Sequence, residues 1–343
     1  MERLPIGIVG LDFGQAVIEQ QLIRGPGEPF YQVAAICDSD AEKVHAMSDR
    51  YGARAYHDVN VLLTDPEIEA IGLFTGPLGR AALIHKIILA RKDVITDNPL
   101  DLDPHKTTRV LEEAKTAGRV VHLNSPTPQV PADLQQIAVW HRRFDLGRPV
   151  NARAENWSVP DKHIEGAWYD NPRRCPIIPI LRLGVCAIND LVRIFGQGDG
   201  VQVIQSRQFT KHPTPDHACA TIRFRGGAIA SISTCFCEGV PDAHRQTLIV
   251  NYENGSVIRK NTPGNEGKVE MVLRRPRPGG EPLVKHASFN KSECSGYYQW
   301  ETFYQATRGE GSADEKVGEQ IVSGIKILGA LAKSQASGRL ETV

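Results

Sequence analysis

The chain has 343 residues, with 40 basic (Lys+Arg) and 40 acidic (Asp+Glu) side chains, so its formal charge is zero. A balanced charge creates no bulk field that attracts nucleic acid or an anionic membrane surface, and we expect a small molecule or a second copy of the chain as partner. Because this length exceeds one typical hydrophobic core, it predicts two domains.

The N-terminal sequence and the cysteines argue against several further classes of protein. The N-terminus lacks the ordered sections of a secretory signal, and no apolar run approaches the roughly 20 residues that cross a bilayer, so a cytoplasmic protein without a membrane partner is predicted. The seven cysteines are scattered and predict neither disulfides nor a metal site. Cys235 and Cys237 are interpreted as small buried residues, because no further Cys or His stands at ligand spacing.

Residues 1–124 alternate between buried strands and amphipathic helices. This alternation predicts a Rossmann domain, a doubly wound parallel sheet whose ligand lies at the carboxyl ends of the strands. The predicted strands are 6–9, 33–36, 71–74, 94–95 and 120–123, and the predicted helices are 15–24, 40–50, 79–91 and 103–116.

Residues 125–343 have a different pattern, in which strands follow one another with tight turns between them. This pattern predicts an α+β domain with a large, mostly antiparallel sheet, whose open face would form a homodimer or homotetramer. The predicted strands are 150–158, 201–209, 218–225, 228–236, 246–251 and 256–259; helices are expected near 131–144, 185–195, 296–308 and 314–336, and 261–286 is expected to be a charged surface loop.

The first strand leads into a turn that is suited to a dinucleotide. Gly10 takes the place of the first glycine of the G-x-G-x-x-G pattern, Asp12 stands at the second, and Gly14 supplies a nearby glycine. Asp12 would repel a pyrophosphate, so we expect its carboxylate to turn away or cap the helix. Asp38 follows the second strand, where a carboxylate accepts the ribose hydroxyls, and no arginine adjoins Ser39, so NAD(H) is favoured over NADP(H).

Several segments in this order resemble the Gfo/Idh/MocA family of nicotinamide-dependent oxidoreductases. They are Ile6 to Gly10, Ile36-Cys37-Asp38, the stretch from Ile71 to Leu100, Leu183 to Gly196, and Ser337-Gly338. The resemblance covers nearly the whole chain and implies an enzyme with a bound nicotinamide dinucleotide. It also implies that Thr75, Asp97 and Asn124, at the ends of three strands, belong to the cofactor site.

The positions that match the family's catalytic residues carry different side chains here. The family's Glu-Lys-Pro is replaced by Asp97-Asn98-Pro99, and its Asp-x-Gly-x-His-x-x-Asp signature reads Arg182 to Asn189, with Cys186 at the histidine. The family also has a histidine five residues after the threonine of the third strand. Counted from Thr75, Arg80 replaces this histidine. Asn98 has no titrating proton and Arg182 stays charged, so an unusual proton donor is required.

The substituted positions suggest a substrate site as well. Arg182 would clamp a carboxylate or phosphate, with Cys186 as a titratable group and Asn189 beside it. Trp168, in an aromatic pair with Tyr169, would wall the substrate pocket, and His163 is a further candidate acid.

Two functional hypotheses follow. The first is an NAD(P)-dependent oxidoreductase acting on a small sugar-like, carboxylate-bearing or imine substrate. The imine is included because Gly10-Leu11-Asp12-Phe13-Gly14 is similar to the cofactor turn of thiazolinyl imine reductases, which would also place Phe13 at the cofactor. The second is a catalytically silent, NAD-binding or ligand-sensing regulatory homologue.

Overall fold

The structure is a computed structural model that describes residues 2–160, 168–239, 244–261, 267–311 and 314–343. His163 therefore lies outside the described residues. The chain forms two compact units, one of residues 1–129 and 298–318, the other of residues 130–297 and 319–343. No helix in the described ranges is long and apolar enough to span a membrane.

The first unit contains a parallel sheet with the strand order β3-β2-β1-β4-β5-β6, which confirms the predicted Rossmann fold. Apolar residues fill its strands because helices cover both faces. The strands are β1 (Leu4–Val9), β2 (Tyr31–Cys37), β3 (Arg54–Tyr56), β4 (Ala70–Leu73), β5 (Asp93–Thr96) and β6 (Val121–Leu123). The helices are α1 (Leu11–Val17, continued by a π-helical turn Ile18–Leu22), α2 (Ala41–Tyr51), α3 (Val59–Thr64), α4 (Arg80–Leu89) and α5 (Pro104–Thr116).

The second unit is built on a nine-stranded sheet with the order β14-β13-β12-β11-β7-β10-β9-β8-β15, in which only β7 and β10 pair in parallel among the described strands. The predicted mostly antiparallel sheet is therefore confirmed. Its strands are β7 (Pro149–Trp157), β8 (Gly198–Ser206), β9 (His217–Phe224), β10 (Ile229–Cys235), β11 (Arg245–Tyr252), β12 (Gly255–Asn261), β13 (Lys268–Arg277), β14 (Gly280–Asn290) and β15 (Glu341–Thr342). Helices α6 (Ala132–Arg143) and α7 (Val185–Phe195) also belong to this unit.

The prediction of a surface loop at 261–286 is wrong for most of this range, because β13 and β14 form a hairpin there. Along β14 every residue is exposed or half-buried. A strand that is exposed to solvent on both faces does not require alternating apolar residues. Its sequence pattern therefore resembles that of a loop.

The last two helices belong to different units. Helix α8 (Trp300–Thr307) lies in the first unit and α9 (Val317–Ser337) ends in the second. Trp300 and Phe303 of α8 pack their rings 5.5 and 5.8 Å from that of Tyr31 in β2. This aromatic packing places 298–318 with the first unit, whereas the predicted boundary at 124 assigned them to the second domain.

Candidate active site

The turn between β1 and α1 depends on the absence of a side chain at Gly10. Its φ is +90°, and a Cβ there would lie 2.8 Å from the carbonyl carbon of Phe74 and 2.9 Å from the nitrogen of Thr75. Gly14 is buried, and a Cβ on it would meet Ile8 at 3.0 Å. Gly14 therefore packs the helix on the strand, the role of the third glycine of the pattern. Phe13 is 44% exposed and meets Phe74 edge to face.

The carboxylate of Asp12 turns to α2, where it forms an ion pair with Lys43 at 2.6 Å. The hydrogen bond to Asp12 raises the pKa of Lys43, which keeps this ammonium charged. The expected repulsion of a pyrophosphate is thus offset by a neighbouring cation. Lys43 is a residue of this site that the sequence analysis missed, since one helical side chain among many carries no distinguishing pattern.

Asp38 lies at the carboxyl end of β2, and its two carboxylate oxygens hold the adjoining backbone. Oδ2 accepts the N–H of Leu11 at 2.7 Å and Oδ1 accepts that of Asp40 at 3.1 Å. The carboxylate is thereby oriented beside the Gly10 turn. A carboxylate in this position can accept ribose hydroxyls and disfavours a 2′-phosphate.

Arg80 links the ends of β4 and β5, although it replaces a family histidine. It is 1% exposed, and its guanidinium donates to the carbonyl oxygens of Thr75, Asp97 (2.6 Å) and Pro99 (2.7 Å). It also pairs with the Asp97 carboxylate at 2.9 Å. Arg80 and Asp97 therefore shape the backbone at this edge of the sheet. The buried Thr75 hydroxyl has no hydrogen-bond partner within the described ranges and is suited to a bound ligand.

Asn98 and Asn124 lie together at the ends of β5 and β6. Both the backbone N–H and the side-chain Nδ2 of Asn98 donate to Oδ1 of Asn124, at 2.9 and 3.0 Å. The position of the family lysine thus holds a neutral amide that cannot exchange a proton near neutral pH. Hence the first unit can hold a dinucleotide, but these two residues bring no acid or base to it.

In the second unit, Arg182 stands on a π-helical turn, Ile180–Gly184, directly before α7. Such turns are frequent at functional sites. Asn156 of β7 anchors this turn by donating to the carbonyl oxygen of Leu183. The guanidinium carbon of Arg182 lies 4.8 Å from the ring centre of Tyr169 and 5.9 Å from that of Phe236, a cation–π arrangement that holds a charge at a partly apolar surface. Trp168 packs edge-on against Tyr169 at 5.8 Å.

A histidine that the sequence analysis missed lines the same pocket as Arg182. His212, Asp170 and Thr210 line this pocket together with Arg182. Nδ1 of His212 lies 2.7 Å from Oδ1 of Asp170, and both side chains are mostly buried. A ring nitrogen that faces a carboxylate carries the proton, so Asp170 fixes the tautomer of His212. No sequence signal joins residues 42 positions apart, because only the fold brings them together.

Two other predicted residues, Asn189 and Cys186, are not among the residues that line this pocket. Asn189 is 4% exposed and faces α9, where a Cβ on Gly324 would approach its Oδ1 to 2.3 Å. Cys186 faces Gly296, whose added Cβ would lie 3.4 Å from its sulfur. These contacts are packing within the second unit, so the roles predicted for Asn189 and Cys186 remain predictions.

The family model GFO_IDH_MocA, described as an oxidoreductase family with an NAD-binding Rossmann fold, matches residues 4–125. The myo-inositol 2-dehydrogenase of Thermotoga maritima is 23% identical over 241 residues, which cover 66% of this chain and 67% of that protein. Two further curated relatives, an uncharacterised oxidoreductase of Rhizobium meliloti and an inositol 2-dehydrogenase of Rubrobacter xylanophilus, are matched over less than half of their length.

Solved structures resemble the whole chain. GenD2 from gentamicin A biosynthesis, in complex with NAD, has a TM-score of 0.78 at 18% identity, with coverage of 100% of this chain and 97% of GenD2. The 3-ketoreductase KijD10 of Actinomadura kijaniata, in complex with NADP and TDP-benzene, has a TM-score of 0.76 at 16% identity, with coverage of 97% and 98%. At these identities the likeness establishes the fold.

Proposed function

We propose that this chain, whose residues 4–125 match the oxidoreductase family model with an NAD-binding Rossmann fold, is a nicotinamide-dependent oxidoreductase. It transfers hydride between NAD(H) and a small substrate with a hydroxyl, carbonyl or imine group, while His212 moves the accompanying proton. The observation that carries this proposal is the pocket that combines Arg182 with the His212–Asp170 pair. The bound dinucleotide supplies the hydride chemistry.

Residues of the first unit would hold the dinucleotide. Gly10 leaves room for the backbone to approach a pyrophosphate, and the Asp12–Lys43 pair places no net charge beside it. Asp38 would accept the ribose hydroxyls and repel a 2′-phosphate. Two negative charges about 4 Å apart at intermediate dielectric repel each other by roughly 4 kcal/mol. This repulsion between Asp38 and a 2′-phosphate supports a preference for NAD(H).

Residues of the second unit would hold the substrate. Arg182 is held over Tyr169 and beside Phe236, so its guanidinium is ordered before a ligand arrives, and an ordered guanidinium binds carboxylates in bidentate geometry. Trp168 supports Tyr169 from the side. This chemistry favours a small molecule that carries a carboxylate next to the hydroxyl or carbonyl group that reacts.

The proton is assigned to His212 because Asn98 and Arg182 cannot exchange one near neutral pH. With Nδ1–H donated to Asp170, Nε2 is the atom that gives a proton to a forming alkoxide or takes one from an alcohol. Asp170 would stabilise the charged imidazolium that forms when an alcohol is oxidised. An imine substrate that is already protonated would need only hydride and would not require His212.

The decisive experiment follows nicotinamide absorbance during turnover with a panel of hydroxy acids, sugar acids, polyols and cyclic imine acids. In a substrate with a carbinol, His212→Asn should lower kcat by about 10²- to 10⁴-fold with a nearly unchanged KM, and should remove one limb of the pH–rate profile. His286→Asn, an exposed histidine on β14, is the matched control and should retain activity.

The regulatory hypothesis predicts a different result from the same protein. NADH would quench tryptophan fluorescence by energy transfer, but no compound in the panel would turn over at any pH. That result would overturn the catalytic proposal. Equal activity of His212→Asn and the parent protein on a hydroxy acid would overturn the assignment of the proton to His212.

The open face of the second unit's sheet is proposed to bind a second copy of the chain. Ile204 and Ile229 are 71 and 49% exposed. An antiparallel sheet can leave one face open to a partner subunit. Sedimentation equilibrium should yield a dimer or tetramer, and Ile204→Glu should shift it toward the monomer; a monomeric parent protein would overturn this part.

A further inference from the structure

A group of metal-binding side chain types lies where β9 begins and β10 ends. One ligand atom from each of Asp216, His217 and Cys237 lies within 4.8 Å of the other two. The antiparallel register explains this grouping, since His217 stands opposite Cys235 and the backbone N–H of Phe236 donates to the carbonyl oxygen of Asp216. The sequence analysis found no third ligand near Cys237 because His217 is distant along the chain.

Asp216 is an ordered carboxylate at this place. Its side chain is fully buried, and it accepts backbone N–H groups from Phe209 at 2.6 Å and Thr210 at 2.8 Å. Its Oδ1 lies 2.9 Å from Nδ1 of His217. These contacts fix the position of the Asp216 carboxylate.

Cys237 adds a sulfur atom to this carboxylate and imidazole. Its backbone N–H points to Sγ of Cys235 at 3.1 Å, which fixes the bend after β10. Zinc binds cysteine as the thiolate, so the metal ion would take the place of the Cys237 proton.

We propose that Asp216, His217 and Cys237 bind one Zn²⁺ ion and leave its fourth coordination position open. A mixed sulfur, nitrogen and oxygen set suits zinc rather than calcium or magnesium, which prefer oxygen ligands. Tetrahedral zinc places its ligand atoms roughly 3.5 Å apart. Asp216 Oδ1 and His217 Nδ1, which lie 2.9 Å apart, would separate slightly on binding, and ligand atoms that lie up to 4.8 Å apart would approach one another. The Cys237 proton passes to solvent as the Zn–S bond forms.

His217 and Cys237 also line a second pocket, together with Trp157, Cys219 and Arg245 among others. Asp216 also lines the pocket of Arg182 and His212, and it holds the backbone of residues 208–210. An ion at Asp216 would therefore fix this loop. Amide hydrogen exchange of residues 208–210 should slow when the metal is bound.

The test uses Co²⁺ as a spectroscopic substitute for zinc in the full-length protein. We expect one Co²⁺ per chain, the intense charge-transfer band of a cobalt–thiolate bond, and loss of this spectrum on addition of Zn²⁺. Cys237→Ser should abolish the band, and His217→Ala should weaken Co²⁺ on the order of 100-fold. Cys219→Ser, an exposed cysteine of the same sheet face outside the three-residue group, is the control and should retain the band.

An unaltered midpoint of urea denaturation would show that Cys237→Ser is folded, so that its loss of Co²⁺ reports on the site. Should the parent protein bind no Co²⁺ or Zn²⁺ at micromolar concentration, the proposal is overturned. A thiolate band that persists in Cys237→Ser and disappears in Cys219→Ser would overturn the ligand assignment.

Discussion

At the scale of single residues, the side chains that replace the family's catalytic residues make different kinds of contact. Arg80 stabilises two loops, Asn98 bonds with Asn124, and Arg182 remains a charge on an aromatic surface. The first two contacts are internal to the sheet edge, whereas Arg182 lines the pocket that we propose as the substrate site. A change in residue type at a family position thus has a different consequence at each place.

Asp38→Asn tests the cofactor preference. The amide keeps the size of the side chain but removes the charge. NADH binding should therefore weaken roughly 10-fold while NADPH binding improves, and the dissociation constant of NADPH divided by that of NADH should fall. Energy transfer from tryptophan to nicotinamide measures both constants. Asp58→Asn, a helix-capping aspartate at the start of α3, is the control. An unchanged ratio would contradict the role given to Asp38.

Arg80→Met tests the buried clamp. Removing the guanidinium leaves the Asp97 carboxylate and three carbonyl groups without this donor, and the free energy of unfolding should fall by about 3–5 kcal/mol. Urea denaturation measures this change. Arg109→Met removes an exposed pair with Glu113 and should cost less than about 1 kcal/mol. Equal effects of the two changes would refute the clamp.

At the scale of elements, a buried charge network joins α6, α7 and β12 in the second unit. The Arg259 guanidinium lies 2.7 Å from Asp133 and 2.8 Å from Asp190, and Ser295 donates to both carboxylates. Burial alone would lower the pKa of Arg259, but the two carboxylates raise it. Charges in this setting stabilise the fold only while all partners are present.

Single and double substitutions distinguish this network from surface pairs. Arg259→Met leaves two buried carboxylates without their cation and should lower the free energy of unfolding by about 3–5 kcal/mol. Adding Asp190→Asn should restore part of the loss. The same change at Arg223, which pairs with Asp199 on the surface, should have an effect below about 1 kcal/mol by urea denaturation. No recovery in the double variant would contradict the charge explanation.

At the scale of the whole molecule, stability should fall in acid because of one buried histidine. His122 on β6 is fully buried against Phe303, and burial lowers its pKa from 6.5 to about 3. Between these two values the unfolded chain binds a proton that the folded chain does not, so the free energy of unfolding decreases as the pH falls. The contribution is about 1.4 kcal/mol per pH unit below 6.5, or roughly 3 kcal/mol at pH 4.5.

His122→Leu removes this titration and provides the test. The difference in free energy of unfolding between parent and variant should change by roughly 3 kcal/mol between pH 7 and pH 4.5, in favour of the variant at the lower pH. His105→Leu, at an exposed site on α5, should leave the pH dependence as it is in the parent. Parallel curves for parent and His122→Leu would mean that other groups cause the acid sensitivity.

The Rossmann fold and the mostly antiparallel sheet could be predicted from the sequence, because buried strands and amphipathic helices have apolar patterns of different periods. The sequence also indicated the Gly10 turn and the position of Asp38, since both follow directly from strand ends. The sequence pattern did not predict β14, because its residues are exposed to solvent on both faces. It also did not predict the place of α8, which depends on aromatic contacts with β2. The pairs His212–Asp170 and Asp12–Lys43 and the group around His217 were decided only by the tertiary structure. Their partners are far apart in the chain, and no local pattern records which strand and loop ends the fold brings within hydrogen-bond distance.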